Sequence, residues 1–320
     1  MAVESIEVRN VEETTLGEAI DLFMEEALLG TSPETYRWYT CRLGLFSKAF
    51  NPNTKLSEIA KKDLIAWWRG LEARTLEEPP TLTVDTFHGY VRGPRRLFSW
   101  LQKNNVIFQD LTKYLILPTL PERQRKGVPD DIVVKIIEAT EGNLRDRAIM
   151  LLLESTGARR AGVASLRMQD IAPDAPEPYC RRATVFEKGK RTRSVFMSKL
   201  ALEALKEYLA TRNSTSQYVF IDTRPGRENN KLLPGAINQI IVRYKKQLGI
   251  TGVCSPHQWR HRYCRSLIQN KMPLSTVQQL AGHKSIQVTA MIYANLLVDE
   301  LHEAYDEMYR PLNFEKFDDI

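Results

Sequence analysis

Apolar residues recur every three or four positions through residues 14–114, which is the spacing of amphipathic helices. In "SPETYRWYTCRLGLFSKAF", for example, Leu43 and Phe46 fall on one face, and a Ser-Pro pair stands at the start. The segment "TVDTFHGYVRGPRRLFSWLQKN" has the same period, and we expect Gly93-Pro94 to break its helix. The pattern therefore predicts roughly four or five helices here and no convincing strand.

The pattern changes in the second part of the chain. Prolines and a glycine interrupt "LPTLPERQRKGVPDD", and an extended linker is predicted over residues 117–128. Most later segments return to the helical period, but "RRATVFEKGKRTRSVFMS" alternates like two strands around a Lys-Gly turn, and "YVFID" is a candidate for a further short strand. The expected organisation is a helical domain at 1–116 and a mainly α domain with a small β-sheet at 129–320.

Basic residues are clustered along the chain. It carries 45 Lys and Arg against 39 Asp and Glu, a formal net charge of +6. Residues 181–193 hold six bases against Glu187, and residues 83–126 hold eight bases against three acids. Such patches suit a surface that follows a phosphate backbone. The candidates for DNA contacts within them are Arg92, Arg95, Arg96, Arg191 and Arg193.

Other classes of protein find little support in the composition. No apolar run is long enough to span a membrane, and the acidic first residues do not form the pattern of a signal peptide. Cys41, Cys180, Cys254 and Cys264 show neither paired metal-ligand spacing nor a dense disulfide pattern. We expect a cytoplasmic protein that needs no metal and no other cofactor.

The stretch "SPHQWRHRYC" has the features of a helix start that binds an oxyanion. Ser255 can cap the helix, and Pro256 fits its first position, where no backbone N–H is required. His257 and Arg260 then lie three residues apart on one face, beside the free N–H groups of the first turn. Because helix N-termini attract phosphates and guanidinium groups grip them, a phosphate clamp is one interpretation. A solvated basic helix is the other.

Three further segments place chemically capable residues at similar boundaries. "STGARRAGVASL" ends a buried helix at Gly157 and puts Arg159 at the start of the next. "EKGKRTR" puts Lys188 at the tip of the predicted hairpin. "LAGHKSIQVTAMIYANL" presents His283 after a helix end, with Tyr293 about two turns along the following helix.

The order of these motifs resembles that of the tyrosine recombinase (phage integrase) family. Its members carry T-G-x-R, a Lys in a β-hairpin, H-x-x-R, G-H and then a Tyr nine or ten residues later. The motifs occur here in that order, as Thr156-Gly157-Ala158-Arg159, Lys188, His257-Gln258-Trp259-Arg260, Gly282-His283 and Tyr293. The resemblance covers residues 129–300, whereas the N-terminal segment is similar to the family's core DNA-binding domain only in length and helical character.

The resemblance implies a fold, a partner and an assembly. It implies a two-domain, C-shaped clamp on double-stranded DNA, with a helical core-binding (SAM-like) domain and an α+β catalytic domain. Four protomers would assemble as a tetramer on paired sites and act through a Holliday junction, and an accessory DNA-bending protein is a further partner of such assemblies. A Xer-like recombinase and a compact mobile-element integrase both fit, acting in the cytoplasm at the nucleoid.

The motif residues are sufficient to cut a phosphodiester without a metal. A tyrosine hydroxyl, with a pKa near 10, is a poor nucleophile at neutral pH. Arg159 and Arg260 would stabilise the charge that grows on the non-bridging oxygens during its attack. Lys188 would protonate the departing 5′-oxygen, His257 would help take the tyrosine proton, and His283 would hydrogen-bond the phosphate. The resulting 3′-phosphotyrosine bond would preserve the energy of the phosphodiester for rejoining.

Two of these roles have competitors in the sequence. Lys190 and Arg191 share the predicted hairpin turn with Lys188, which is preferred because it directly precedes the turn glycine. Tyr305 and Tyr309 compete with Tyr293 as the nucleophile. Neither has the distance from the Gly-His pair that the family shows, so Tyr293 is the predicted nucleophile.

One position departs from the family pattern. The family commonly has an acidic residue three positions after the first arginine, and this chain has Gly162 there. The absence of this acid either reduces activity or is compensated by another carboxylate. We expect an active enzyme, because no residue that contacts the phosphate is lost.

Two alternatives to a site-specific recombinase fit the same sequence. They are a type IB topoisomerase-like enzyme and a DNA-binding regulator with a decayed active site.

Overall fold

The chain divides into two compact units, Met1–Glu122 and Arg123–Ile320, called here the N-terminal and C-terminal units. The predicted bounds of the domains and linker stay a prediction. A computed structural model describes residues 13–120, 127–187, 191–227, 229–252, 254–283, 285–287, 289–290, 305 and 308, with only the backbone of Glu187 and Arg191.

The N-terminal unit contains helices and turns but no strand among its described residues. Its elements are α1 (Leu16–Leu22), a π-helical turn (Phe23–Ala27), α2 (Pro33–Phe50), α3 (Lys61–Leu76), α4 (Val84–Lys103) and 3₁₀ turns at Leu56–Glu58 and Thr112–Tyr114. Local capping explains where α2 begins, because the Ser32 hydroxyl accepts the Thr35 N–H at 3.2 Å and Pro33 follows as the first helical residue. The predicted helical character of this segment is confirmed.

Aromatic rings fill the core of the N-terminal unit. Phe46 of α2 lies edge-to-face against Phe98 of α4, with ring centroids 5.9 Å apart, and against Trp67 of α3 at 5.0 Å. Phe46, Phe98 and Leu43 are all fully buried. Edge-to-face pairs add to the free energy gained by burying apolar area. The apolar face read from the sequence is therefore the face on which α2 packs.

α4 contains the Gly93-Pro94 pair without a break, so the expected interruption is wrong. Both residues are buried, and a Cβ at Gly93 would lie 3.0 Å from the Arg42 Cβ of α2. Proline removes one backbone hydrogen bond from a helix, but close packing against a second helix can outweigh that local cost. The contact between α2 and α4 explains why the helix continues.

The C-terminal unit combines helices with a two-stranded antiparallel sheet in its described residues. Its helices and strands are α5 (Asp130–Glu138), α6 (Leu144–Thr156), α7 (Arg160–Ala164), β1 (Arg182–Glu187), β2 (Arg191–Phe196), α8 (Lys199–Thr211), α9 (Pro234–Gln247), α10 (Pro256–Gln269) and α11 (Leu274–Ala281). Short 3₁₀ turns lie at Met168–Asp170 and Tyr179–Arg181. α6 packs against α8 and α10, and its apolar side chains are buried all round. α6 is therefore the helix around which this unit is built.

The predicted hairpin is confirmed, and the predicted further strand is wrong. β1 and β2 pair in register from Arg182–Phe196 to Glu187–Arg191. In "YVFID", only isolated bridges form, joining Tyr218 to Arg167 and Ile221 to Lys231. The segment touches a different partner at each end, so no continuous ladder develops.

The C-terminal end of α6 is shaped by its own side chains and by a tyrosine from α10. The Thr156 hydroxyl donates to the Leu152 carbonyl at 2.6 Å and accepts the Ala158 N–H at 3.2 Å. Gly157 ends the helix in the left-handed region, with a φ of 55°. A Cβ at this position would lie 2.2 Å from Cδ1 of Tyr263. Both the backbone conformation and the packed ring therefore require glycine.

We predict that Gly157→Ala lowers the free energy of unfolding by about 3 kcal/mol, from backbone strain and the clash with Tyr263 together. Gly142→Ala is the matched control, because a Cβ at Gly142 would meet nothing within 4 Å. Urea unfolding followed by circular dichroism measures both variants. Equal stability of the two would show that the ring moves aside freely.

Candidate active site

The structure brings Arg159, His257 and Arg260 to one open cavity in the C-terminal unit. Its volume is about 380 Å³. The start of α7, α9 and the first turn of α10 meet here. The residues that line the cavity are Arg159, Arg160, Asn238, Ser255, Pro256, His257 and Arg260.

The start of α10 follows the predicted helix start. Ser255 and Gln258 form a capping box, in which the Ser255 N–H donates to Gln258 Oε1 at 3.0 Å and the Gln258 N–H donates to Ser255 Oγ at 3.4 Å. Pro256 follows as the first helical residue. His257 is exposed on this first turn, with its ring centroid 4.7 Å from that of His261. His257 is therefore accessible to a ligand that enters the cavity.

Arg260 is the most buried cation of the site, with 3% of its surface exposed. Its Nη1 donates to the Gly157 carbonyl at 2.9 Å, and its Nη2 donates to the Ala281 carbonyl. Burial lowers the pKa of Arg260 to about 10, and the nearby charge of Arg159 lowers it further. The guanidinium group nevertheless stays protonated at neutral pH, so it carries a positive charge in a place with little water.

Arg159 is the residue that directly precedes α7, where it has extended backbone angles. Its side chain is half-buried, and burial lowers its pKa, with a further contribution from the charge of Arg193. The position follows from the sequence, because Gly157 ends α6 in a left-handed turn and the chain restarts as a helix three residues later. Arg159 therefore lies two residues after Gly157, whose carbonyl accepts a hydrogen bond from Arg260.

His283 follows the end of α11 and is kept neutral by its surroundings. Gly282 ends the helix in the left-handed region with a φ of 65°, and His283 Nδ1 lies 2.9 Å from the hydroxyl of the buried Thr289. Burial lowers the pKa of His283 to about 4, and the charges of Arg260 and Arg159 act in the same direction. A neutral imidazole has one N–H to donate, and the contact with Thr289 orients the ring.

Arg193 is a further residue of this site whose place was not foreseen. It was predicted to contact DNA from the hairpin, but its Nη1 donates to the carbonyl of Leu280, in the last turn of α11. Burial lowers the pKa of Arg193, and its charge in turn lowers the pKa of Arg260 and His283. A sequence signal existed, since alternate residues of a strand share a face and Val195, two positions on, is a core residue.

The DNA-contact candidates of α4 have different environments. Arg95 Nη1 donates to the carbonyls of Thr112 at 3.2 Å and Leu115 at 2.9 Å, so its guanidinium group stabilises the end of the N-terminal unit. Arg92 and Arg96 are exposed. Arg92 also lies over the ring of Trp38, 5.0 Å from its centroid. The prediction of DNA contacts in this unit now depends on Arg92 and Arg96.

Several predicted site residues lie outside the described residues. These are the side chains of Lys188, Arg191 and Tyr293, whose roles stay predictions. Of the competing tyrosines, Tyr305 is exposed, and Tyr309 also lies outside the described residues.

Gly162, the position without the family's acid, is buried in α7 against β1. A Cβ there would lie 3.3 Å from both the Val185 Cβ and the Phe186 carbonyl oxygen. A larger side chain would push the hairpin away from α7, so glycine permits a close approach between the two elements. Whether another carboxylate replaces the acid stays a prediction.

In the described part of the chain, no group of three or more His, Cys, Asp or Glu side chains is placed to hold a metal ion. Among the same described residues, no helix is long and apolar enough to cross a membrane. The site is instead defined by guanidinium and imidazole groups. Guanidinium groups and an imidazole around an open cavity suit the binding of a phosphate ester.

Comparison with known proteins identifies the family. Residues 128–300, more than half of the chain, match the phage integrase family. The chain belongs to this family of tyrosine recombinases, and the resemblance read from the motifs is confirmed.

The chain is similar to proteins that are named as tyrosine recombinases or integrases. The tyrosine recombinase XerA of Pyrococcus horikoshii is 30% identical over 190 residues, 59% of this chain and 64% of the relative, so the match spans less than two thirds of that relative. The tyrosine recombinase XerC of Neisseria meningitidis serogroup B is 28% identical over 263 residues, 81% and 83% of the two chains. The crystal structure of a lambda integrase tetramer bound to a Holliday junction has a similar fold, with a TM-score of 0.69 at 18% identity over 88% of this chain and 77% of that one.

The depressed pKa of His283 predicts a pH dependence of stability. Between the ordinary value of 6.5 and about 4, the unfolded chain binds a proton at this residue that the folded protein does not. This contribution to stability is complete above pH 6.5 and is lost as the pH falls through that window. We predict that His283→Gln loses less stability than the unchanged protein between pH 7 and pH 5, measured by urea midpoints. An equal loss in His283→Gln and the unchanged protein would contradict a depressed pKa at His283.

The two environments on α4 predict different effects on DNA affinity. Arg96→Ala should reduce the slope of log affinity against log salt concentration by about 0.9, the value for losing one phosphate contact. Arg95→Ala should leave that slope unchanged and lower the stability of the unit instead, because its guanidinium group binds backbone carbonyls. Fluorescence anisotropy of labelled duplex DNA at several salt concentrations measures both. An unchanged slope in Arg96→Ala would exclude that side chain from the DNA contact.

Proposed function

We propose that this tyrosine recombinase cuts and rejoins duplex DNA at specific sites through a 3′-phosphotyrosine intermediate. One observation carries the proposal: two guanidinium groups and an accessible imidazole, from Arg159, Arg260 and His257, line a single open cavity. Positive charge in a poorly hydrated site stabilises a phosphorane-like transition state more than it would in water. The cavity is therefore assigned to the scissile phosphate.

The reaction needs a nucleophile and a proton donor in addition to this cavity. The Tyr293 hydroxyl attacks phosphorus, the new phosphotyrosine bond forms, and the bond to the 5′-oxygen breaks. Arg159 and Arg260 hold the non-bridging oxygens, and neutral His283 donates a hydrogen bond to one of them. Lys188 gives its proton to the departing 5′-oxygen, while His257 helps to take the proton of the tyrosine. The reverse of these steps, with a 5′-hydroxyl from another strand, joins the exchanged strands.

The same proposal includes the assembly. Four protomers act on two paired DNA sites, as the lambda integrase tetramer bound to a Holliday junction suggests for a chain of this fold. Exposed Arg92 and Arg96 add contacts to the DNA backbone from the N-terminal unit. An accessory DNA-bending protein and a place at the nucleoid in the cytoplasm complete the proposal.

Relaxation of DNA by a topoisomerase-like reaction is the alternative that uses the same chemistry. It is not favoured, because the relatives are named as recombinases. Incubation with two differently labelled duplexes that carry the site distinguishes the two functions. Strand exchange joins the labels in one product, whereas a topoisomerase only changes supercoiling.

The decisive prediction concerns the nucleophile. Tyr293→Phe removes one oxygen and keeps the ring, so DNA binding should change little and covalent cleavage should stop. The measurement is adduct formation on a nicked suicide substrate, followed by a denaturing gel and mass spectrometry of the DNA-linked peptide.

Tyr305→Phe and Tyr309→Phe are the matched controls, since both tyrosines follow Tyr293 in the same tail. Both variants should still form the adduct. If the adduct persists in Tyr293→Phe or maps to another residue, the assigned nucleophile is wrong.

A further inference from the structure

Two successive carbonyls at the end of α11 bind guanidinium groups from different elements. The Leu280 carbonyl accepts from Arg193 of β2, and the Ala281 carbonyl accepts from Arg260 of α10. The last carbonyls of a helix have no partner within the helix, and the negative end of its dipole attracts cations. The end of α11 is therefore a common anchor for the hairpin and for the phosphate-binding helix.

Arg193 holds the hairpin at a defined place. It pairs across the sheet with Val185 of β1, and Val185 packs against Gly162 of α7. β1 and β2 are joined by residues 188–190, which include the predicted proton donor Lys188. The strands that carry this turn are thus fixed by α7 on one side and, through Arg193, by the end of α11 on the other.

The partial burial of the charged Arg193 side chain costs free energy, which a purely structural role would not require. Burial lowers its pKa, and its positive charge lowers the pKa of Arg159, Arg260 and His283. A third partly buried cation beside Arg159 and Arg260 is unfavourable without an anion nearby, and an apolar residue would serve packing alone better. When an anionic phosphate enters the cavity, the same charge becomes favourable.

We propose that Arg193 is a positioning residue of the cleavage reaction. It fixes the β1–β2 hairpin, which includes Lys188, relative to the end of α11, close to His283, so that the proton donor reaches the 5′-oxygen. The proposal rests on the proposed function and adds a residue to it. Arg193 acts through another group and need not touch the DNA. Loss of the Arg193 guanidinium group should therefore impair protonation of the leaving group more than the attack of the tyrosine on phosphorus.

A change of leaving group separates these two effects. In a substrate whose 5′-bridging oxygen is replaced by sulfur, the leaving group is a thiolate, and because a thiol has a pKa of about 8.5, it leaves without a proton. Adduct formation is measured in single turnovers with saturating enzyme on the oxygen and sulfur substrates. Arg193→Gln should slow cleavage of the oxygen substrate about 100-fold, the scale of a misplaced catalytic group, and cleavage of the sulfur substrate only about threefold or less.

The control variants define what each result means. Lys188→Ala should show the same rescue by sulfur, whereas Arg159→Ala should be slow on both substrates, because its charge serves the phosphate. Arg212→Gln is the matched structural control: Arg212 also binds backbone carbonyls, but these belong to Ser214, Ser216 and Tyr218, in the segment after α8, and not to the end of α11. It should lower stability without changing the ratio of the two rates.

The outcomes are distinct for the inference and for the proposed function. Equal slowing of Arg193→Gln on both substrates, or no slowing, overturns the positioning role. Arg193→Lys keeps the charge and is used if Arg193→Gln does not fold; it should show the same rescue by sulfur, because an ammonium group lacks the planar fork. Failure of the unchanged protein to form any adduct contradicts the proposed function instead.

Discussion

The C-terminal unit depends on one buried guanidinium group. Arg260 reaches from α10 to the Gly157 carbonyl at the end of α6 and to the Ala281 carbonyl at the end of α11. These three segments are separated by more than a hundred residues at the extremes, and each contributes a motif of the site. A hydrogen bond to a charged group of this kind contributes about 1.5–3 kcal/mol in other proteins. The side chain to which the proposed function assigns the phosphate is therefore also the one that joins the motifs.

This bridge constrains the residues around it. The Gly157 carbonyl points to Arg260 because the chain turns in the left-handed region there, and Tyr263, one turn of α10 beyond the arginine, packs on the same glycine. Gly282 makes the equivalent turn at the end of α11. The turn at Gly157 thus orients a carbonyl that accepts from Arg260, and the turn at Gly282 sets the position of His283, the next residue.

The sequence predicted what local chemistry determines. The helix cap at Ser255, the helix end at Gly157 and the hairpin are all features of short segments, and all are confirmed. The unbroken α4 and the missing strand at "YVFID" depend on packing between distant segments, which a local pattern does not contain. Arg193 was predicted to contact DNA; its alternation with Val195 is a local signal for an inward side chain that this prediction did not use, and its acceptor on α11 is visible only in three dimensions.

Gly162 then has a physical meaning beyond a missing acid. A carboxylate near the arginines would neutralise part of their charge before the phosphate arrives. The acceptors described for Arg260 and Arg193 are instead the carbonyls of Gly157, Leu280 and Ala281. A carbonyl orients a guanidinium group through its dipole and, unlike a carboxylate, carries no net charge that would cancel the charge of the arginine. Gly162 lets β1 approach α7 closely, since a Cβ there would lie 3.3 Å from the Val185 Cβ, and the ends of α6 and α11 supply carbonyl acceptors for Arg260 and Arg193.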